Sequence, residues 1–156
     1  MNIAIMTAQM SYSEKLKVGC IIVNDERIVS YSWNGTPSGW DNKCELKLWM
    51  PEGSSHLDHV YPFVEYSDYD TEAIIGRYKL RTKPEVIHAE SNAISKLARS
   101  NESGKDAVMF CTHSPCLECA KLIYQSGIKE LYYREAFNRT EGLDFLRKTY
   151  VEVGQI

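Results

Sequence analysis

From Pro84 onward the sequence alternates between two periods, and no other feature restricts the fold as strongly. "HAESNAISKLARS" sets Ala89, Ala93, Ile94, Leu97 and Ala98 on one helical face, and "DAVMFCT" follows as a short apolar run of buried-strand type. "CLECAKLIYQS" is helical again and is stopped by Gly127, then "IKELYY" returns to a strand pattern. "TEGLDFLRKTY" and "VEVGQI" add a last helix and a terminal strand. Strands that alternate with helices bury both faces of a sheet, which predicts a three-layer α/β domain.

The first half of the chain is less regular. Residues 2–13 read as a short helix, and "VGCIIVNDERIVSYSW" gives two β-branched runs broken by "NDE", the pattern of a hairpin. "NGTPSGW" ends it in a turn-rich loop. From Asp41 to Pro84 no period holds, although "DTEAIIGRYKL" suggests a short helix. A length of 156 residues supports one core, so the expectation is a single domain over 1–156 with a variable insertion at about 44–83. Apolar residues at 44% and charged residues at 25% are ordinary globular values. A net charge of −3 offers no footprint for nucleic acid or an anionic membrane, which leaves small molecules as the expected partners. No run approaches the roughly 18 apolar residues of a spanning helix, and "MNIAIMTAQM" lacks the features of a signal peptide, so the expected location is cytoplasmic.

Five cysteines, an odd number, argue for reduced thiols. Cys20 and Cys111 lie in apolar runs and read as small buried hydrophobes. Cys116 and Cys119 differ, because Pro115 fixes the chain's entry and the spacing of two lets both sulfurs face one point in the first turn of a helix. Alone, that pair is equally a redox dithiol or half of a structural zinc site. His88-Ala89-Glu90 adds an imidazole and a carboxylate at the start of another helix. Together His88, Cys116 and Cys119 supply three zinc ligands and leave a fourth position for water, which is the catalytic rather than the structural arrangement. Glu90, beside that water and outside the ligand set, is the candidate proton carrier.

His-Ala-Glu followed by Pro-Cys-x-x-Cys resembles the signature of the zinc nucleobase deaminases. "KVGCIIVNDERIVSYSWNGTPSG", "VIHAESNAI" and "HSPCLECAKLIYQSGIKELYY" are most similar to the deoxycytidylate (dCMP) deaminases, phage-encoded ones included, over residues 1–43 and 84–137. The resemblance implies an α/β/α cytidine-deaminase-like fold on a mixed five-stranded sheet, and hydrolysis of dCMP to dUMP and ammonia. It further implies a homohexamer, activated by dCTP with Mg²⁺ and inhibited by dTTP. A zinc-activated water would attack C4 of cytosine while Glu90 protonates N3 and then the departing amine. Backbone groups of Ala89 and Ser114 would hold the base, and Asn34 would hold the sugar. Phe137 stands where related deaminases place an aromatic residue against the base, with His113 at the base edge. Lys15 and Lys17 match a basic segment of the family and are candidates for the 5′-phosphate.

For the regulatory nucleotide the resemblance points to Ser32, Trp33, Gly35 and Arg99, with Ser32-Trp33-Asn34-Gly35 in place of the family's Gly-Tyr-Asn-Gly. Cys44 matches one ligand of a second, structural zinc found in some phage members, with His56 and His59 as substitutes for the others. The rival readings are a cytidine, deoxycytidine or tRNA-base deaminase of the same superfamily and, outside it, a Cys-x-x-Cys redox or structural-zinc protein.

Overall fold

The computed structural model describes residues 1–69 and 73–156. Its elements are α1 (Asn2–Ala8), β1 (Gly19–Asn24), β2 (Arg27–Trp33), β3 (Glu45–Trp49), a 3₁₀ turn (Ser55–Leu57), β4 (Phe63–Tyr66) and β5 (Ile74–Thr82). Then follow α2 (Ala89–Leu97), β6 (Val108–His113), α3 (Leu117–Gln125), β7 (Glu130–Glu135), α4 (Glu141–Arg147) and β8 (Glu152–Gln155). Among the described residues no helix is long and apolar enough to cross a membrane.

The main sheet has the order β2-β1-β6-β7-β8. β1 is antiparallel to both β2 and β6, whereas β6, β7 and β8 run parallel, so the sheet is mixed and five-stranded. Parallel neighbours need crossovers, and α3 and α4 provide them. The β1–β2 hairpin closes through Asp25 (φ 47°) and Glu26 (φ 62°), both on the positive side that a type I′ turn requires.

Successive residues of β1 point to opposite faces. Cys20 and Ile22 join Ala89, Ala93, Met109, Cys111, Ile123 and Leu131 in the core under α2 and α3. Gly19 faces the other way, onto α1: a Cβ there would stand 2.1 Å from the Ala4 carbonyl oxygen. Helices therefore cover both faces of β1, as a three-layer arrangement demands. Ser30 and Ser32 of β2 donate hydrogen bonds to the carbonyls of Ala93 and Ala89, the former at 2.7 Å, and tie α2 to the sheet.

Two expectations need correction. The N-terminal helix ends at Ala8 rather than residue 13, because Ser11 Oγ donates to the Asn34 carbonyl just after β2 and accepts the Ser13 N–H, which takes these residues out of the helical ladder. Of the helix expected over 70–80, residues 70–72 lie outside the described residues and 74–80 belong to the strand β5. Ile74 and Ile75 are β-branched and Gly76 is a poor helix former; pairing with β3 on one side and β4 on the other decides the matter. The stretch without a period is thus an antiparallel sheet of order β3-β5-β4. Trp49 and Phe63 flank Tyr78 across its strands, with ring centroids 5.5 and 5.4 Å away.

Candidate active site

His88 and Cys116 occupy equivalent places. Each is the extended residue immediately before a helix, His88 at φ −70°, ψ 151° ahead of α2 and Cys116 at φ −70°, ψ 169° ahead of α3. Cys119 follows one turn into α3. Both helix N-termini, with their unpaired N–H groups and positive dipole ends, meet at the place where anionic sulfurs gather.

His88 Nδ1 lies 3.5 Å from Cys116 Sγ and 3.4 Å from Cys119 Sγ, and all three donor atoms fall within 4.8 Å of one another. Zinc at tetrahedral angles, with bonds of about 2.0 Å to nitrogen and 2.3 Å to sulfur, sets its nitrogen and sulfur ligands about 3.5 Å apart. Both nitrogen–sulfur separations match that spacing. The sulfurs carry the electrostatics of such a site: hydrogen bonds from Cys119 and then His88 hold the Cys116 thiol down at about 3. Cys119, bonded to that thiolate and buried, is pushed up, and the bond to Cys116 raises His88. A metal ion takes cysteine as thiolate, so its binding here releases the protons these thiols carry.

Glu90 sits in the first turn of α2, 4% exposed, outside the ligand set. Burial raises its carboxyl above the usual range. The ligand turn itself is held from behind by α4, because Gly142 presses backbone on backbone: a Cβ there would come within 2.1 Å of the Pro115 carbonyl oxygen and 2.9 Å of the Cys116 carbonyl.

A cavity opens over these groups. The walls on the metal side are His88, Ala89, Glu90, Cys116, His113, Ser114 and Phe137. Facing them are Ser13, Lys15, Leu16 and Val18 from the loop before β1, together with Asn34, Thr82 and Val86. Of the residues expected to bind substrate, Asn34, Ala89, Ser114, Phe137, His113 and Lys15 line this cavity, while Lys17 is exposed in the same loop and does not. The side chains have local partners as well. Asn34 Oδ1 accepts the Val18 N–H at 2.8 Å and its Nδ2 donates to the Leu16 carbonyl at 2.9 Å, so the amide also fastens the loop. Ser114 Oγ accepts the Phe137 N–H at 2.7 Å and holds the aromatic residue at the rim. His113 is steadied between Thr112 Oγ1 at 3.1 Å and Glu135 Oε2 at 3.3 Å.

Ser13, Leu16, Val18, Thr82 and Val86 are wall residues that the sequence did not disclose. Ser13 stood inside an expected helix and Thr82 inside the unread insertion. Thr82 pairs with Glu45 across the β3–β5 ladder, and no local pattern announces it.

Trp33, Gly35 and Arg99 line a second cavity, with Tyr12, Lys96 and Cys44 among its other walls. Ser32 is not among them, for it is fully buried and its hydroxyl is bonded to Ala89. Lys96 Nζ lies 5.4 Å from the Trp33 ring centroid and 5.2 Å from that of Tyr31, and desolvation lowers its pKa. Among the described residues, His88, Cys116 and Cys119 form the one group of potential metal ligands within reach of a common ion; Cys44, His56 and His59 do not gather into another.

The cytidine and deoxycytidylate deaminase zinc-binding region matches residues 1–135. The deoxycytidylate deaminase of Enterobacteria phage T4 is 34% identical, with 98% of this chain and 86% of that protein aligned. The human deoxycytidylate deaminase is 33% identical over 85% of this chain and 61% of its own length. Among solved structures, the dCMP deaminase of cyanophage S-TIM5 in complex with dCMP and dUMP superposes with a TM-score of 0.76 at 37% identity, covering 99% of this chain and 92% of that one.

Proposed function

Because the chain belongs to the cytidine and deoxycytidylate deaminase family, we propose that it hydrolyses dCMP to dUMP and ammonia. The observation that carries the reading is the convergence of His88, Cys116 and Cys119 on one point with the buried Glu90 beside them. His88, Cys116 and Cys119 would hold a zinc ion, which would supply the Lewis acidity that activates a water at neutral pH. Glu90 takes one proton of that water and delivers it to N3 as the oxygen bonds to C4. It then carries the second to the exocyclic amine, the C4–N4 bond breaks, and ammonia leaves. Burial raises the Glu90 carboxyl above the usual carboxylate range, the direction that suits a group which must both take and give a proton.

Backbone groups of Ala89 and Ser114 orient the base, Phe137 and His113 bound its edge, and Asn34 meets the sugar. Lys15, with Lys17 at its flank, faces the 5′-phosphate. Support for dCMP over a free nucleoside or a tRNA base comes from the names of the relatives over 30% identical and from the nucleotides bound to the cyanophage enzyme. Absorbance assays on cytidine, deoxycytidine, CMP, dCMP and dCTP test this: loss of the cytosine band is expected on dCMP, and its absence overturns the assignment.

Regulation is the finer part of the proposal. dCTP with Mg²⁺ as activator and dTTP as inhibitor act at the second cavity, where Arg99, Lys96, Trp33 and Gly35 offer charge and ring surface to a nucleoside triphosphate, with Ser32 behind them. The protein works as a homohexamer in the cytoplasm, the host's if the gene belongs to a phage. Rates with and without each triphosphate, and a mass in solution by light scattering, test these statements.

A further inference from the structure

We infer that Glu45, from the inserted sheet, is a positioning residue that sets the nucleotide-facing loop before β1. The inference rests on reading the first cavity as a dCMP site.

Glu45 opens β3 and pairs across the ladder with Thr82 of β5, and paired residues share one face of a sheet. Thr82 lines the cavity. On that face the Glu45 carboxylate accepts a hydrogen bond from Ser13 Oγ at 2.5 Å through Oε1, and from the N–H groups of Glu14 and Lys15 at 3.3 Å each. A hydroxyl and two consecutive backbone N–H groups converge on one carboxylate, an anion nest filled from within the protein. Ser13 is 3% exposed, and its Oγ in turn accepts the Leu16 N–H at 3.3 Å. Ser13, Lys15 and Leu16 are all cavity walls.

The loop thus has two independent fasteners. Asn34, from the end of the main sheet, grips Leu16 and Val18. Glu45, from the insertion, grips Ser13, Glu14 and Lys15 and so fixes the half that presents the Lys15 side chain. Without Glu45 water satisfies the exposed N–H groups, so the loop survives but loses its fixed form, and each binding event must order it again. The effect therefore falls on substrate affinity and not on the chemical step.

Steady-state kinetics on the zinc-loaded protein test this. Glu45→Ala is expected to raise KM for dCMP by about tenfold or more with kcat changed less than about twofold. Glu45→Gln, which keeps an acceptor oxygen, restores most of the affinity, and zinc content stays constant in both. Glu65→Ala, in the exposed Lys47–Glu65 pair of the same sheet, leaves KM unchanged and so separates loop positioning from general loosening of the insertion. An unchanged KM in Glu45→Ala, a lowered one, or equal harm from Glu65→Ala overturns the inference. If Glu45→Ala fails to fold, Ser13→Ala removes one donor of the nest and must raise KM in the same way. Wild-type protein inactive on dCMP sinks the functional reading instead, which keeps the two failures distinct.

Discussion

The turns that begin α2 and α3 and the sheet formed by β3, β4 and β5 are built by different means. At the first, His88, Glu90, Cys116 and Cys119 lie over a core in which Ala89, Ala93, Met109, Cys111 and Ala120 are wholly buried. In the second, no described residue from Glu45 to Lys83 is buried, and cross-strand ring contacts such as Trp49–Tyr78 replace a core. Chemistry that needs atoms fixed to a few tenths of an ångström stands on the packed region. The thinly packed one contributes at its border, where Glu45 and Thr82 reach the cavity wall. A site can borrow a wall from a region that could not hold its metal.

The contrast is sharpest in loss of function. Cys116→Ala or His88→Ala should abolish both zinc binding and turnover, read by elemental analysis and by the dCMP assay. Glu90→Gln should keep the zinc yet lower kcat by about 10²–10⁴-fold. A metal-free protein with wild-type activity would erase the distinction between the two regions. Next come the glycines. Gly142→Ala drives a methyl into the Pro115 carbonyl and is expected to weaken zinc affinity about 10–100-fold in a chelator competition, the range seen when a ligand's support is disturbed. Gly76→Ala meets the Trp49 ring only at 3.4 Å and should leave zinc affinity where it was. For stability the expected order is the same: Ile22→Ala costs about 2–5 kcal/mol in denaturant titrations. Trp49→Ala, half-exposed, costs under about 1 kcal/mol, the scale of one cross-strand pair. Equal losses at the two positions would mean that the insertion packs as tightly as the main sheet.

Legibility in the sequence followed the same division. Zinc chemistry dictates ligand type, so spacing alone could offer His88, Cys116 and Cys119 as candidates, and their donor atoms do gather within 4.8 Å, with Glu90 in the first turn of the helix that His88 precedes. The alternation after Pro84 identified the layers because burial on both faces of a sheet writes itself into periodicity. Strand β5 was misread since "AIIGRYKL" is half-exposed on both faces and carries no clean period of two. Thr82 and Ser13 stayed hidden because contacts over long sequence distances put them in the wall: Glu45 and Thr82 meet through the β3–β5 register, and Ser13 bonds to Glu45 and, by way of Ser11, to the Asn34 carbonyl. Asn34 was named for its side chain, and the structure adds that its amide holds Leu16 and Val18.

The seat of Gly142 against Pro115 gives the stretch beyond residue 135 a mechanical part that no reactive group in it discloses. The family match ends at residue 135, before α4 begins, and α4 rests on the ligand turn with no side chain between as a cushion. A fused partner or an immobilising surface attached beside β8, which packs on α4, is therefore expected to disturb zinc affinity at Cys116, as read by chelator competition. Anchoring the molecule by its other end is expected to spare that affinity.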